Sequence, residues 1–280
     1  MVPLQALIRL TRLWNLIIIA VAQYFSAWFL ISPDKWHDVR LLVLSLSTMI
    51  IAAGGYSIND YYDVKIDLIN KPERVVVGKT LSRRQVLLIH SVLSLTGTAM
   101  GFFLSWPIGV VNFIAGFLLW LYSNALKRLP FVGNLAVALL TGLSVFVVNL
   151  LFLPIQTLVL VYVLFAFFMT LIREIIKDME DLKGDDSFGC RTLPIIWGLR
   201  PTKVFIYLLI LLFCAGVILI HFYVAHLPVL FFTGFLLVPM GILVIWLIRA
   251  DTKKDYFYLS QISKLIMLAG IFSMAFLGPH

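Results

Sequence analysis

Residues 59–67 read Asn59-Asp60-Tyr61-Tyr62-Asp63-Val64-Lys65-Ile66-Asp67 (NDYYDVKID) and follow directly on LLVLSLSTMIIAAGGYSI, residues 41–58, which carry no charge. An uncharged run of that length approaches the roughly 20 residues that cross a bilayer. Three carboxylates, spaced three and then four residues apart, therefore stand at the end of a spanning helix. At about 100° per residue they stay within roughly 60° of one another, as a stripe along one face.

The rest of the chain fits that frame. Hydrophobic residues make up 61% and charged residues 13% of its 280 residues, with a mean hydropathy of +1.01. Soluble domains average roughly 45–50% apolar and about 25% charged. Apolar runs recur at about 13–32, 41–59, 85–105, 107–122, 131–152, 155–176, 202–223, 227–248 and 261–278. These runs are continuous, which excludes the short alternating segments of a β-barrel. The expectation is an all-α polytopic membrane protein of nine transmembrane helices, a single domain over 1–280.

The first run has full spanning length and no small-residue cleavage site after it, so it reads as a retained span and not as a secretory signal. Cys190 and Cys214 are the two cysteines, which is neither a disulfide framework nor a zinc spacing. Thiol chemistry is not expected.

A formal charge of +8 raises the question of nucleic acid, but the cations sort by loop. Arg9 and Arg12, Lys65 to Arg84, Lys127 and Arg128, Arg173 to Lys203, and Arg249 to Lys254 fall in alternate loops, whereas Lys35 and Arg40 are the basic residues of the intervening ones. The positive-inside rule then predicts a cytoplasmic N-terminus and an external C-terminus. The charge reflects topology, and no nucleic-acid partner is expected.

Acidic residues sort the same way, which topology does not require. Asp60, Asp63, Asp67 and Glu73 follow the second run, and Glu174, Asp178, Glu180, Asp181, Asp185 and Asp186 follow the sixth. Asp178, Asp181 and Asp185 repeat the three-then-four interval, and Glu174 adds a step of four on the same face. For any one Asp, a solvated helix end is sufficient explanation. Two like-charged stripes in the same register are mildly self-repelling and call for a cation. Carboxylate oxygens without His or Cys partners favour Mg²⁺, Mn²⁺ or Ca²⁺ over zinc. Mg²⁺ takes one or two carboxylates and completes its shell with water and phosphate oxygens, so the stripes suit a metal-bound diphosphate at the membrane surface. Lys71, Arg74, Lys79, Arg83 and Arg84 follow the first stripe, and Arg173, Lys177 and Lys183 interleave with the second. Arginine forks and lysine point charges both suit phosphate, although anionic lipid would attract the same residues.

These residues resemble the UbiA superfamily of intramembrane prenyltransferases. NDYYDVKID is similar to that family's NDxxDxxxD signature and KDMEDLKGD (177–185) to its second aspartate motif. RLTRLWN (9–15), INKPERVVVG (69–78) and LYSNALKRLPFVGN (121–134) extend the resemblance over nearly the whole chain. It implies a nine-helix bundle in which Mg²⁺ held by both motifs binds the diphosphate of an isoprenoid donor. Carried onto this sequence, Asn59, Asp60, Asp63, Asp67, Asp178, Asp181 and Asp185 are the metal set, with Asp60, Asp63, Asp67, Asp178 and Asp181 catalytic. Arg12, Asn15, Asn59, Lys71, Arg74, Tyr122, Ser123, Lys127, Arg173 and Lys177 are substrate-binding candidates. Two departures stand out. Arg12-Leu13-Trp14-Asn15 lacks the family's proline, and Arg74-Val75-Val76-Val77-Gly78 keeps only the ends of RPxPxG. Proline fixes φ, so a more mobile loop is expected after the second span.

The chemistry expected is ionisation of an allylic diphosphate, with the leaving group held by Mg²⁺ and basic side chains. The allylic cation must be kept from water beside aromatic faces, for which Tyr61, Tyr62, Trp120 and Tyr122 are candidates. A pocket open to lipid would keep the prenyl tail in hydrocarbon. The basic face and the segments INKPERVVVGK and REIIKDMEDLKGD are most similar to the branch that uses a geranylgeranylglyceryl phosphate acceptor, whose phosphate Arg12, Lys71, Arg74 or Lys127 could hold. Aromatic acceptors of quinone synthesis are the alternative. A secondary transporter would place ionisable groups near the midplane, where this chain offers almost none apart from His90. A CDP-alcohol phosphotransferase would need an Asp-Gly-x-x-Ala-Arg string, which is absent.

Overall fold

The computed structural model describes residues 4–70, 72–223 and 237–277. A short helix α1 (Leu4–Thr11) leads into α2 (Leu13–Phe25), which a π-helical segment, Ser26–Ile31, extends to spanning length. There follow α3 (Val39–Asn70), α4 (Arg83–Leu104), α5 (Trp106–Asn124), α6 (Val132–Leu151) and α7 (Thr157–Ser187). A short α8 (Leu193–Trp197) precedes α9 (Leu199–Tyr223), α10 (Val238–Arg249) and α11 (Lys253–Ser273). Among the described residues eight helices are long and apolar enough to cross a membrane, and α10 is a shorter apolar one. The run expected at 227–248 falls partly outside the described residues; its remainder is α10.

Local sequence sets the ends. Ser82 and Gln85 cap α4 reciprocally, and Thr252 and Asp255 do the same for α11, each satisfying backbone N–H groups left free at a helix start. Ser105 caps α5, with Pro107 in the first turn, where a missing N–H costs nothing.

The bundle has two packed halves. Helix α3 lies against α2, α4 and α5, and α7 against α6, α9 and α11; α3 and α7 also meet. The larger core joins Ile172, Ile175 and Ile176 of α7 to Ile206 of α9, Leu243 of α10 and Leu259 of α11. Mid-span polar groups are bonded across helices. Gln23 donates to Thr48 Oγ1 at 3.0 Å and Ser144 O at 2.7 Å, Asn112 to Gly97 O at 3.0 Å, and His90 Nδ1 lies 3.0 Å from Gly54 O. These contacts tie helices together.

The two acid-bearing helices overrun the bilayer. Val39 to Asp60 and Thr157 to Asp178 are both steps of 21 residues, roughly 31 Å of helix, close to the ~30 Å of a hydrocarbon core. Both carboxylate stripes thus begin where the core ends, on helices that continue beyond it.

The loop after α3 departs from the sequence reading. Val76, Val77 and Leu81 are buried with Ala6 and Leu10 of α1 and Val86 of α4. The loop that lacks the family's prolines is thus packed by apolar side chains.

Candidate active site

The first stripe meets cations from two other elements. Arg12 Nη2 donates to Asp60 Oδ1 at 2.8 Å, and its guanidinium lies 4.8 Å from the Tyr56 ring centroid. Arg12 itself occupies the break between α1 and α2 with φ 52° and ψ 54°, a left-handed conformation that is costly for a side chain with a Cβ. Lys127, from the turn Leu126–Arg128, donates to Asp63. Both side chains of that pair are nearly buried, at 10% and 14% exposure. Asp67 lies within electrostatic reach of Arg12.

The second stripe is held from α6. Asn134 Nδ2 donates to Asp178 Oδ2 at 2.8 Å. Arg173 reaches Glu174 at 2.6 Å, and Lys177 lies 4.0 Å from the same carboxylate. Asp181 is within electrostatic reach of Lys177 and Asp185 of Asp178.

Two glycines bring these parts together. A Cβ at Gly133 would stand 2.8 Å from Lys127 Cα and 3.0 Å from Leu126 O, so the start of α6 can press on the Lys127 turn only without a side chain there. A Cβ at Gly184 would stand 2.3–2.5 Å from the Asn70 amide, whose Nδ2 lies 3.4 Å from Asp181 O. That contact joins the ends of α3 and α7.

The structure places other candidates variously. Tyr122 is within electrostatic reach of Glu174, Asp178, Asp63 and Arg12, so it sits between the stripes. The Tyr62 ring centroid lies 6.0 Å from Lys127 Nζ. Tyr61 packs with the α1 loop cluster under Arg83, and Trp120 packs on Phe117; neither contact involves the stripes. Asn59 is half-buried beside Asp60. Ser123 is buried, with its hydroxyl turned to Leu119 O at 2.9 Å. Asn15 accepts from Lys264 at 2.9 Å. Arg74 ends the turn Pro72–Arg74, and Lys71 lies outside the described residues. Burial, and after it Asp185 and Asp63, pushes the Cys190 thiol up to about 11.

Asn134 and Lys264 were not singled out from sequence. Asn134 is an isolated polar residue on an otherwise apolar helix face, which is a usable signal, but the partners of the two lie 44 and 249 residues away.

The donor set consists of carboxylate and amide oxygens. No group of three or more His, Cys, Asp or Glu among the described residues is arranged to hold a metal by itself. Asp63 and Asp178, on facing helices, suit an ion that takes one or two protein carboxylates and fills its shell from phosphate and water.

Fold and site together define an integral, multi-pass membrane enzyme with paired aspartate motifs. Residues 16–265 match the UbiA prenyltransferase family, and the chain belongs to it. A digeranylgeranylglyceryl phosphate synthase of Methanosphaera stadtmanae is 32% identical over 243 residues, 85% of this chain and 88% of the relative. A solved structure concerned with digeranylgeranylglyceryl phosphate synthase in membranes superposes with a TM-score of 0.76 at 22% identity, over 98% of this chain and 97% of that one. A UbiA homologue from Archaeoglobus fulgidus bound to GPP and Mg²⁺ superposes with a TM-score of 0.72 at 16% identity, over 96% and 99%.

Proposed function

We propose that this prenyltransferase moves a geranylgeranyl group from its diphosphate to the free hydroxyl of geranylgeranylglyceryl phosphate, forming an ether lipid, with residues 1–280 acting as one catalytic domain. The observation that carries the reading is the pair of aspartate stripes on α3 and α7, faced by Arg12, Lys127 and Lys177. The 32% likeness to a digeranylgeranylglyceryl phosphate synthase supports the acceptor.

Asp60, Asp63 and Asp67 with Asn59, and Asp178, Asp181 and Asp185, are the oxygens that would hold Mg²⁺. Mg²⁺ bound there supplies Lewis-acid stabilisation of the diphosphate's charge. Arg12, Lys127 and Lys177 add fixed positive charge where the leaving diphosphate gains negative charge as its bond to the allylic carbon breaks. Arg173 and Asn15 stand one to two turns to the membrane side. Tyr122 and Tyr62 offer ring faces to the allylic cation. The acceptor hydroxyl forms the new carbon–oxygen bond, and its proton passes to a carboxylate of the Asp60–Asp67 stripe not saturated by metal and within hydrogen-bond reach. The prenyl tails of donor and acceptor remain in lipid.

The reading also sets orientation. Lys and Arg concentrate on the stripe-bearing face, which supports a cytoplasmic site, with the N-terminus inside and the C-terminus outside.

Purified protein given labelled geranylgeranyl diphosphate, Mg²⁺ and a mixture of geranylgeranylglyceryl phosphate, hydroxybenzoate and dihydroxynaphthoate tests the acceptor. The glycerol phosphate should be consumed and the aromatic acids left. Prenylation of an aromatic acid with the glycerol phosphate ignored would refute the assignment.

A further inference from the structure

Lys264 stands 11 residues into α11 from Lys253, roughly 16 Å along the helix. Its ammonium is bonded to the neutral amide of Asn15 at 2.9 Å, and the charged group within its electrostatic reach is another cation, Arg173. Lys253 Nζ lies 3.5 Å from Asn70 O at the outer end of α3, so Lys264 stands near the level at which the stripes begin, where a cation at the lipid boundary calls for a partner. A simple tether between α11 and α2 would need only a neutral polar pair.

Arg173 is similarly under-used. Its Nη1 reaches Glu174, but its Nε is buried with no hydrogen-bond partner, as is the hydroxyl of Thr170 one turn earlier on α7. Glu174 also serves Lys177. Arg12 and Lys127 each bond a carboxylate of the first stripe, whereas Lys264 bonds a neutral amide.

We infer that Lys264, steered by Asn15, and Arg173 form a second anion site that holds the phosphate monoester of the acceptor, apart from the diphosphate of the donor. This rests on the proposed glycerol phosphate acceptor. Asn15 is one turn from Arg12, and Arg173 is five residues to the membrane side of Asp178, so the pair is offset inward from the carboxylates by about one turn. A glycerol phosphate carries hydroxyl and phosphate on the same three-carbon unit, so its anion must bind within a few bonds of the reacting centre. Two cations match the dianion of a phosphate monoester.

The test measures binding to the full chain in lipid nanodiscs of an alkylglyceryl phosphate, the matching alkylglycerol and geranyl diphosphate with Mg²⁺. Wild type should prefer the phosphorylated ligand by about tenfold or more. Lys264→Gln keeps a hydrogen bond to Asn15 without the charge, and Lys264→Met removes both; each should lose the preference while geranyl diphosphate binding is unchanged, and Lys264→Arg should retain it. Retained binding of geranyl diphosphate also shows that the variants are folded. A preference that survives Lys264→Gln overturns the site. Equal loss of geranyl diphosphate binding assigns Lys264 to the donor and overturns it as well. Inorganic phosphate that displaces the ligand as well as unlabelled alkylglyceryl phosphate would make it a free-phosphate site, against the inference. No phosphate preference in wild type would instead refute the acceptor reading on which the inference stands.

Discussion

Gly133→Ala should cripple the enzyme without touching a charged residue. The added Cβ would meet Lys127 Cα at 2.8 Å, Leu126 O at 3.0 Å and Lys127 N at 3.2 Å. All three are backbone atoms, so no rotamer change relieves the contact. Reaching an ordinary 3.4 Å separation requires the Lys127 turn or the start of α6 to give by about 0.6 Å. That turn carries the ammonium bonded to Asp63, and α6 carries Asn134, bonded to Asp178. A misplacement near 1 Å can cost ~100-fold in rate, so kcat/KM should fall roughly 10- to 100-fold, about 1.4–2.7 kcal/mol of transition-state stabilisation. Overpacking should take about 1–3 kcal/mol from stability, partly offset by alanine's better helix propensity.

The control lies on the same helix. At Gly142 an added Cβ would find Val163 O at 3.4 Å and side-chain atoms beyond that, which is ordinary contact, so Gly142→Ala should stay within about twofold of wild type. Steady-state prenyl transfer in nanodiscs, with thermal unfolding of each variant, separates the effects. If Gly133 acts through Lys127, adding Gly133→Ala to Lys127→Met should cost far less than it costs alone. Wild-type turnover in Gly133→Ala, or full additivity in the double variant, would refute the reasoning.

Asp63→Ala and Asp178→Ala should each lower turnover by orders of magnitude, about 3–4 kcal/mol, and chelation should abolish activity until Mg²⁺ is restored; near-normal rates in any arm would remove the proposed metal role. Asn134→Leu deprives half-buried Asp178 of its amide donor and should cost about 1–3 kcal/mol in stability or donor affinity, measured by thermal unfolding with and without Mg²⁺–diphosphate. In intact cells an impermeant maleimide should leave Asp63→Cys unlabelled until the membrane is opened, against a low background from Cys190, whose thiol is held near 11; ready labelling from outside would invert the topology.

The spans were legible because continuous apolar runs need no partner to be recognised. Their ends were not, and the errors share a cause. Helices α3 and α7 continue through Asp60–Asn70 and Asp178–Ser187, where hydropathy drops but helix propensity does not. At α11 the expected start near 261 proved to be Lys253, because Lys253-Lys254-Asp255 reads as loop by hydropathy. Thr252 with Asp255 three residues on was the overlooked signal, a capping box. Moving that start by two turns shifts Lys264 from the first turn of a helix to its middle. Among the stripes, the carboxylates were found from spacing alone, whereas the pairing of Asp60 with Arg12, Asp63 with Lys127 and Asp178 with Asn134 depends on which helices adjoin.

The loop after α3 lacks the family's prolines and is packed by valines. Proline stabilises a loop chiefly by restricting the unfolded chain, by about 0.4–1 kcal/mol per site. Full burial of a valine contributes roughly 1.5 kcal/mol or more, and both Val76 and Val77 are buried. Their neighbours in that cluster include Leu10, two residues before Arg12 and itself fully buried. Arg12 holds a left-handed backbone whose cost, of order 1–2 kcal/mol, must be met by its surroundings. The anchoring of Leu10 on one side and the bond to Asp60 on the other supply that. The loop and Arg12 are thereby fixed by one apolar cluster, so attachment of the loop and aim of the guanidinium at Asp60 are set together.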